Sequence, residues 1–216
     1  MNWLYILYFS ETGIKYSVYK HKSSTSEQEI LRSSGSGTET LWDLRVQESA
    51  SLYNFEFRLN NSHTGSSAIA SNAVSMSTAY TKIASGQLWN VMLQRMSGSI
   101  SGSGTQEYRL YTAHQNNQKI STLTFTSMSI SGGLIGDTTT VGGKGFYANQ
   151  NWVLSGSRHQ LSSSNLYVGQ TLSGSLAEVR TWTSALSISR FRLHTLNKLS
   201  TVGNNISSHK DDLIYH

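Results

Sequence analysis

The sequence predicts an all-β protein built from two packed antiparallel sheets, as a sandwich or a barrel, with one short helix near its C-terminal end. Apolar and polar residues alternate with a period of two over many short segments, which is the pattern of strands with one face on a core. Clusters of Gly and Ser separate these segments and indicate turns. A good helical pattern occurs once, after Ser187.

The first predicted strand is the apolar run Trp3–Phe9. We interpret it as a buried strand, because it is too short to span a bilayer and lacks the basic region and cleavage site of a signal peptide. In residues 53–59 the apolar side chains share one parity, and Glu56 and Arg58 on the other parity are expected to face water. Similar alternation predicts strands at residues 41–46, 89–96, 107–113, 119–128, 165–168 and 176–182.

The parity within each strand also predicts which side chains face the core. The predicted inward-facing residues are Phe55, Phe57, Trp89, Val91, Leu93, Leu166, Val168, Val179 and Trp182. Ser187 is the predicted N-cap of the helix, which continues through Phe191 to Leu199 before Gly203.

A single domain over residues 1–216 is expected, because all-β units commonly reach roughly 200–250 residues. The Ser- and Gly-rich residues 97–105 have the composition of a linker, but the strands on both sides share their character, so we predict a long hairpin loop there. Residues 187–216 form the helix and a C-terminal extension of the domain.

Composition excludes several functions. The chain has no cysteine, which excludes disulfides, thiolate metal sites and a cysteine nucleophile. Its 17 Lys and Arg against 12 Asp and Glu are dispersed, so we do not expect nucleic-acid binding. The longest apolar run, Trp3–Phe9, is too short for a membrane span. The seven histidines show no zinc-binding spacing and no G-x-S-x-G elbow occurs, which argues against zinc and serine hydrolases.

Two segments resemble the concanavalin A-like superfamily, in particular laminin-G and pentraxin-like domains. The first is the strand Trp89-Asn90-Val91-Met92-Leu93-Gln94-Arg95. The second runs from Leu166-Tyr167-Val168-Gly169 through Gly174-Ser175-Leu176-Ala177-Glu178-Val179-Arg180-Thr181-Trp182 to Ala185-Leu186-Ser187. The resemblance implies a jelly-roll sandwich in which these residues are framework, with Glu178 and Arg180 as a cross-strand or solvent-exposed pair.

Residues 188–205 and 209–216 are similar to a segment of lectin-like structural proteins of tailed phages, particularly those that infect marine cyanobacteria. The chains of those proteins continue further, which implies that this chain is a fragment or a shortened relative. The implied function is a non-enzymatic virion module, in a tail fibre or as a surface decoration, with other virion proteins and host surface glycans as partners. A homo-trimer is one candidate assembly, and a secreted or cell-surface lectin is the alternative.

Carbohydrate binding is predicted for one aromatic and amide-rich segment after Gly142 and Gly143. Its candidate residues are Phe146, Tyr147, Asn149, Gln150, Asn151 and Trp152. Aromatic faces can stack on a sugar while amides bond its hydroxyls. The alternative is that Tyr147 or Trp152 fills the core.

Calcium is a candidate ion, because laminin-G and pentraxin relatives often bind it through loop carboxylates and carbonyls. The candidate ligands in this chain are Asp137, Asn149, Asn151 and Asn165.

An enzyme acting on glycans is the least favoured function. Retaining glucanases of this fold carry an E-x-D-x-x-E arrangement on one strand, and no such spacing occurs here. Glu27 and Glu29 share a parity, but they lie in a polar stretch without an aromatic neighbour.

Overall fold

A computed structural model describes residues 3–9, 27–34, 40–59, 74–83, 88–95, 106–130, 134–135, 146–147, 165–172, 176–182, 186–197 and 213–215. The strands are β1 Trp3–Phe9, β2 Glu27–Ser34, β3 Thr40–Ser49, β4 Leu52–Leu59, β5 Val74–Ser77, β6 Trp89–Arg95, β7 Gln106–Asn116, β8 Lys119–Ile130, β9 Leu134–Ile135, β10 Phe146–Tyr147, β11 Asn165–Val168, β12 Leu176–Trp182 and β13 Leu213–Tyr215. Helix α1, Ile188–Leu196, lies between β12 and β13 in the chain.

The strands form two main antiparallel sheets. One has six strands in the order β13-β12-β1-β6-β7-β8, and the other has five in the order β11-β2-β3-β4-β5. Strands β9 and β10 pair only with each other among the described residues. The prediction of an all-β protein with two antiparallel sheets and one short helix is confirmed.

The main core lies between the two sheets. Its buried residues are Ile30, Leu31, Trp42, Leu44, Val46, Tyr53, Phe55, Phe57, Met76, Ile83, Trp89, Val91, Leu93, Tyr108 and Leu110. Aromatic rings meet across the sheets, with centroids 6.1 Å apart for Phe55 and Trp89 and 5.5 Å apart for Phe57 and Tyr108. These contacts join β4 to β6 and β7.

The parity prediction is confirmed for five inward-facing residues that are buried, and Val168, opposite the buried Leu31, also lies on the core face without being buried itself. Phe55, Phe57, Trp89, Val91 and Leu93 are all buried. In contrast, Val168 is 44% exposed, because β11 is an edge strand. The side chains of Leu166, Val179 and Trp182 lie outside the described part of the structure.

Each main sheet contains a hairpin whose two strands are connected by a two-residue turn. Ala50 and Ser51 connect β3 to β4 with φ of 50° and 63°, and Asn117 and Gln118 connect β7 to β8 with φ of 49° and 62°. Two consecutive residues with positive φ form the type I′ turn, whose twist suits a two-residue hairpin. Strands β6 and β7 also pair with each other, as the predicted hairpin requires, although residues 97–105 lie outside the described ranges.

Helix α1 covers the outer face of the six-stranded sheet. Ser187 is its N-cap as predicted, with Oγ accepting a hydrogen bond from the Arg190 N–H at 3.3 Å. The helix ends at Leu196, before the predicted Leu199. Phe191 is fully buried in a second apolar cluster with Met92, Tyr111, Ala113 and Leu186.

Arg180 was expected in a cross-strand or solvent-exposed pair, and the solvent-exposed alternative is wrong. Its side chain is fully buried, and its Nη1 lies 3.5 Å from Nδ1 of His194 on α1. The reason is that α1 packs against this sheet. It removes Arg180 from water, although the alternation along the strand gives a polar residue at this position. Within the described ranges, no helix is long and apolar enough to cross a membrane.

Candidate functional site

The outer face of β2, β3 and β4 carries a regular array of charged side chains, which we call the charged checkerboard. It consists of two cross-strand rows. In one row Arg32, Asp43 and Arg58 lie opposite one another, and in the neighbouring row the signs are reversed, with Glu29, Arg45 and Glu56. Each charge therefore has the opposite charge as its direct neighbour on the adjacent strand, which is the favourable cross-strand arrangement.

The local sequence explains the checkerboard on β3 and β4. Asp43-x-Arg45 and Glu56-x-Arg58 both place an acid two residues before a base. Because the strands run antiparallel, Asp43 lies opposite Arg58 and Arg45 lies opposite Glu56. Because both strands carry the same acid-x-base order, each acid of one strand lies opposite a base of the other when the strands pair.

Strand β2 joins the checkerboard through a β-bulge. Glu29 lies opposite Arg45, but Leu31 lies opposite Leu44, so Ile30 is an extra residue in the ladder. The bulge lets Leu31 face the core while Glu29 and Arg32 both face outward. The carbonyl of Ile30 accepts a hydrogen bond from the Gly169 N–H at 2.7 Å.

Direct ion pairs connect the members of the checkerboard. Arg58 binds both carboxylate oxygens of Asp43, with Nε 2.9 Å from Oδ1. Arg45 binds Glu56, with Nη2 2.5 Å from Oε2, and also binds Glu27. The Nε atom of Arg32 lies 3.0 Å from Oε2 of Glu29. All four of these carboxylates are held by guanidinium groups.

Glu56 and Arg58 lie on the face away from the core, as the alternation predicts, but the expectation that they are exposed to water is wrong. Their side chains are 12% and 19% exposed, and that of Asp43 is only 6% exposed. The face is therefore polar but largely withdrawn from solvent.

Burial also changes the acidity of two carboxyl groups. Desolvation raises the pKa of Glu29, and the charge and hydrogen bond of Arg32 offset part of that rise. Desolvation likewise raises the pKa of Asp43 against the opposing effect of Arg58. The Oε1 atom of Glu29 is buried without a hydrogen-bond partner, which is consistent with the raised pKa.

At one edge of the checkerboard lies a more accessible group of residues, which we call the Tyr167 corner. It consists of Glu29, Arg32, Tyr167, Gln170 and Thr171. The guanidinium carbon of Arg32 lies 4.2 Å from the centre of the Tyr167 ring, and Arg32 Nη2 donates to Gln170 Oε1 at 2.8 Å. Thr171 Oγ1 accepts from the Glu29 N–H at 2.8 Å. An aromatic ring, an amide and a hydroxyl thus surround one fixed ion pair.

Gly169 shapes this corner. Its φ is +65°, and a Cβ at this position would lie 3.0 Å from Cδ1 of Leu176. Only glycine adopts that backbone conformation at no steric cost. The turn lets Gln170 and Thr171 reach back to β2, where they bind Arg32 and Glu29.

The structure places few of the sequence-predicted site residues. Phe146 and Tyr147 form β10, opposite Ile135 and Leu134, and Asn165 lies on β11 opposite Ser34. Asp137, Asn149, Gln150, Asn151 and Trp152 lie outside the described residues. In the ranges that are described, no group of three or more His, Asp or Glu side chains could hold a metal ion.

The checkerboard and the Tyr167 corner offer different chemistry. A glycosidase needs one carboxylate as nucleophile or base and a second carboxyl group as acid. In the checkerboard, Asp43 accepts two hydrogen bonds from Arg58, and Arg45 joins Glu27 to Glu56. The Tyr167 corner, in contrast, offers exposed polar groups beside an aromatic ring.

Sequence reasoning missed both features. The matched Asp43-x-Arg45 and Glu56-x-Arg58 patterns could have indicated the checkerboard, but the bulge hides the contribution of β2.

Comparison with protein-family models, curated proteins and solved structures found no match to this chain.

Proposed function

We propose that this chain is a non-enzymatic, lectin-like structural module of a virion, in a tail fibre or as a surface decoration, which serves assembly or attachment to host surface glycans. The jelly-roll form of the two-sheet fold belongs to the same proposal. The laminin-G-like and phage-like motifs support the virion role. The observation that carries the binding role is the Tyr167 corner at the edge of the charged checkerboard.

The corner has the groups that a sugar site needs. Tyr167 is partly exposed, and Gln170 and Thr171 are exposed. The ring can cover an apolar sugar face while the amide and hydroxyl bond to sugar hydroxyls. Arg32 is already held by Glu29 and Gln170, so little side-chain entropy is lost when a ligand binds.

A single site of this kind binds weakly, with a dissociation constant on the order of millimolar to tens of micromolar, because little area is buried and polar groups are desolvated. Several copies on one particle would raise the avidity without new contacts. Weak single sites are therefore compatible with attachment.

Binding to immobilised host glycans tests the glycan role, with three variants compared. Tyr167→Ala with Gln170→Ala should abolish binding if the corner is the site. Tyr147→Ala with Asn149→Ala tests the segment predicted from sequence, in which Asn149 was also a candidate calcium ligand. Tyr80→Ala is the control, because Tyr80 is an exposed tyrosine outside both groups. Full binding by both double variants would leave the domain a structural one.

Two further measurements address the virion role and the lack of enzymatic activity. Antibody labelling of particles in electron microscopy should detect the chain, and its absence from particles would refute the virion assignment. No reducing ends should be released from a panel of β-glucans. Release that is lost in Glu29→Gln would instead identify a glycan-degrading enzyme.

A further inference from the structure

The four outer edges of the two main sheets differ strongly in length. Strand β13 has three residues, and β5 and β11 have four each. Strand β8 has 12 residues and forms the remaining edge. Natural sheets protect their edges by keeping edge strands short or by placing charges, proline or bulges on them. Three edges are short, whereas β8 is long and carries a charge and a register shift only within its first residues.

Beyond its first residues, the sequence of β8 also lacks protective residues. Lys119 is the one charged residue of the strand, and Ile120 to Ile130 are apolar residues, Ser or Thr. The chain has no proline. A register shift occurs where His114 and Gln115 pair with Thr122 and Ile120, so the regular part of β8 begins at Thr122. Within the described residues, no strand pairs with its outer edge.

The middle of β8 carries an exposed aromatic side chain. Phe125 is 52% exposed, the highest fraction among the large apolar residues described. Its ring centroid lies 4.8 Å from that of Tyr111, and Tyr111 lies 5.9 Å from Phe191 of α1. Leu123 packs against the same apolar cluster. The cluster therefore continues to this edge, where the ring of Phe125 is about half exposed.

We propose that two copies of this chain associate through β8, by antiparallel edge-to-edge pairing that joins their six-stranded sheets into one continuous sheet. A second copy suits this edge because a two-fold axis places a strand against itself, and the uncharged part of β8, from Ile120 to Ile130, has nothing to repel its own copy. The outward-facing backbone groups of one β8, which no described strand binds, would then pair with those of the other copy.

The apolar residues select the register. In antiparallel pairing, opposite residues point to the same face of the sheet. If the two-fold axis passes between the two copies of Thr124, these residues lie opposite each other. Phe125 of each copy then lies opposite Leu123 of the other copy. This register covers both exposed rings and extends the apolar cluster of each copy across the junction, so we assign the axis to Thr124.

The mass of the full chain in solution tests the association. Light scattering over a concentration series should show a monomer–dimer equilibrium. Phe125→Lys should raise the dissociation constant at least tenfold, because a lysine replaces the covered ring and blocks edge pairing. Val168→Lys is the matched control, since Val168 is similarly exposed on the short edge strand β11. It should leave the equilibrium unchanged.

Cross-linking tests the register, and the absence of cysteine makes single-cysteine variants unambiguous. Under mild oxidation Thr124→Cys should form a disulfide-linked dimer, because its copies would lie within the 4.4–6.8 Å Cα separation that a disulfide spans. Ser129→Cys lies on the same strand but far from its own copy in this register, and should remain monomeric under denaturing conditions. Circular dichroism checks that every variant is folded.

The outcomes are distinct. A monomer at all concentrations, or a trimer, refutes the proposal. Equal cross-linking of Thr124→Cys and Ser129→Cys also refutes it, because random collision would then explain both. Loss of glycan binding in the Tyr167 variants does not bear on this test, since those residues lie on the other sheet.

Discussion

The outer faces of the two sheets are occupied in different ways. On the five-stranded sheet, charged residues of β2, β3 and β4 neutralise one another within the plane of the face. On the six-stranded sheet, Met92, Tyr111 and Ala113 are apolar and are covered by α1 through Phe191. Polar groups can be satisfied laterally by their neighbours, whereas apolar groups must be covered by another layer. The position of the helix follows from this difference.

The largest expected effect is the loss of the helix cover. Phe191→Ala should lower the free energy of unfolding by about 3–5 kcal/mol, because a fully buried aromatic ring is removed and a cavity remains. Urea unfolding measures the change. Leu196→Ala is the control on the same helix, where a side chain that is 40% exposed should matter by only about 0.5 kcal/mol. Equal losses would mean that α1 is not anchored by Phe191.

Breaking an ion pair of the checkerboard should lower the free energy of unfolding by somewhat less than Phe191→Ala does. Arg58→Met leaves Asp43 buried without its bidentate partner and should lower stability by about 2–3 kcal/mol. Asp43→Asn in the Arg58→Met background should restore part of that loss, because the buried charge is then gone. A double-mutant cycle measured by urea unfolding gives the coupling, and strictly additive losses would show that the pair is not coupled.

As the pH falls, titratable groups on the two sheets should change the free energy of unfolding in opposite directions. Burial lowers the pKa of His114 on β7, so the unfolded chain takes up the proton first. Stability from this group is therefore present above the ordinary value near 6.5 and is lost as the pH falls below it. The effect should be smaller than those of the two substitutions above.

Glu29 and Asp43 have raised pKa values, so the folded chain binds their protons first, and falling pH favours folding at these two positions. Urea unfolding from pH 7.5 to pH 5 should show a decline in the wild type that is shallower in His114→Gln. An equally steep decline in that variant would assign the acid sensitivity to another group.

The smallest expected effect compares the two hairpin turns. Ala50 and Asn117 both have φ near +50°, a conformation that costs alanine about 1–2 kcal/mol and that asparagine tolerates better. Ala50→Gly should therefore stabilise the protein by about 1 kcal/mol, and Asn117→Gly by less. Thermal unfolding of both variants measures the difference. A larger gain from Asn117→Gly would contradict the role of alanine strain.

Much of the fold could be predicted because alternation is a local signal. The bounds of Trp3–Phe9, Asn165–Val168 and Leu176–Trp182 agree between sequence and structure, and so does the N-cap Ser187. Burial was harder to predict. Val168 is exposed and Arg180 is buried, since the first depends on the edge position of its strand and the second on the helix that covers it.

The candidate surface shows the same division. The acid–base order within β3 and within β4 is visible in the sequence, but the spacing of Glu29 and Arg32 fits the checkerboard only because Ile30 forms a bulge. Tyr167 and Arg32 are 135 residues apart in the sequence, and the pairing of β11 with β2 brings them together. No local pattern specifies such a contact.

The sequence by itself determined that this chain forms antiparallel strands with one short helix, because periodicity and capping act over a few neighbouring residues. Only the tertiary structure decided which strands are neighbours, such as β1 beside β12 and β6. It therefore also decided which charged groups are paired and which apolar face the helix covers. Those properties depend on pairings between distant segments, and the free energy of each pairing depends on the side chains of both partners.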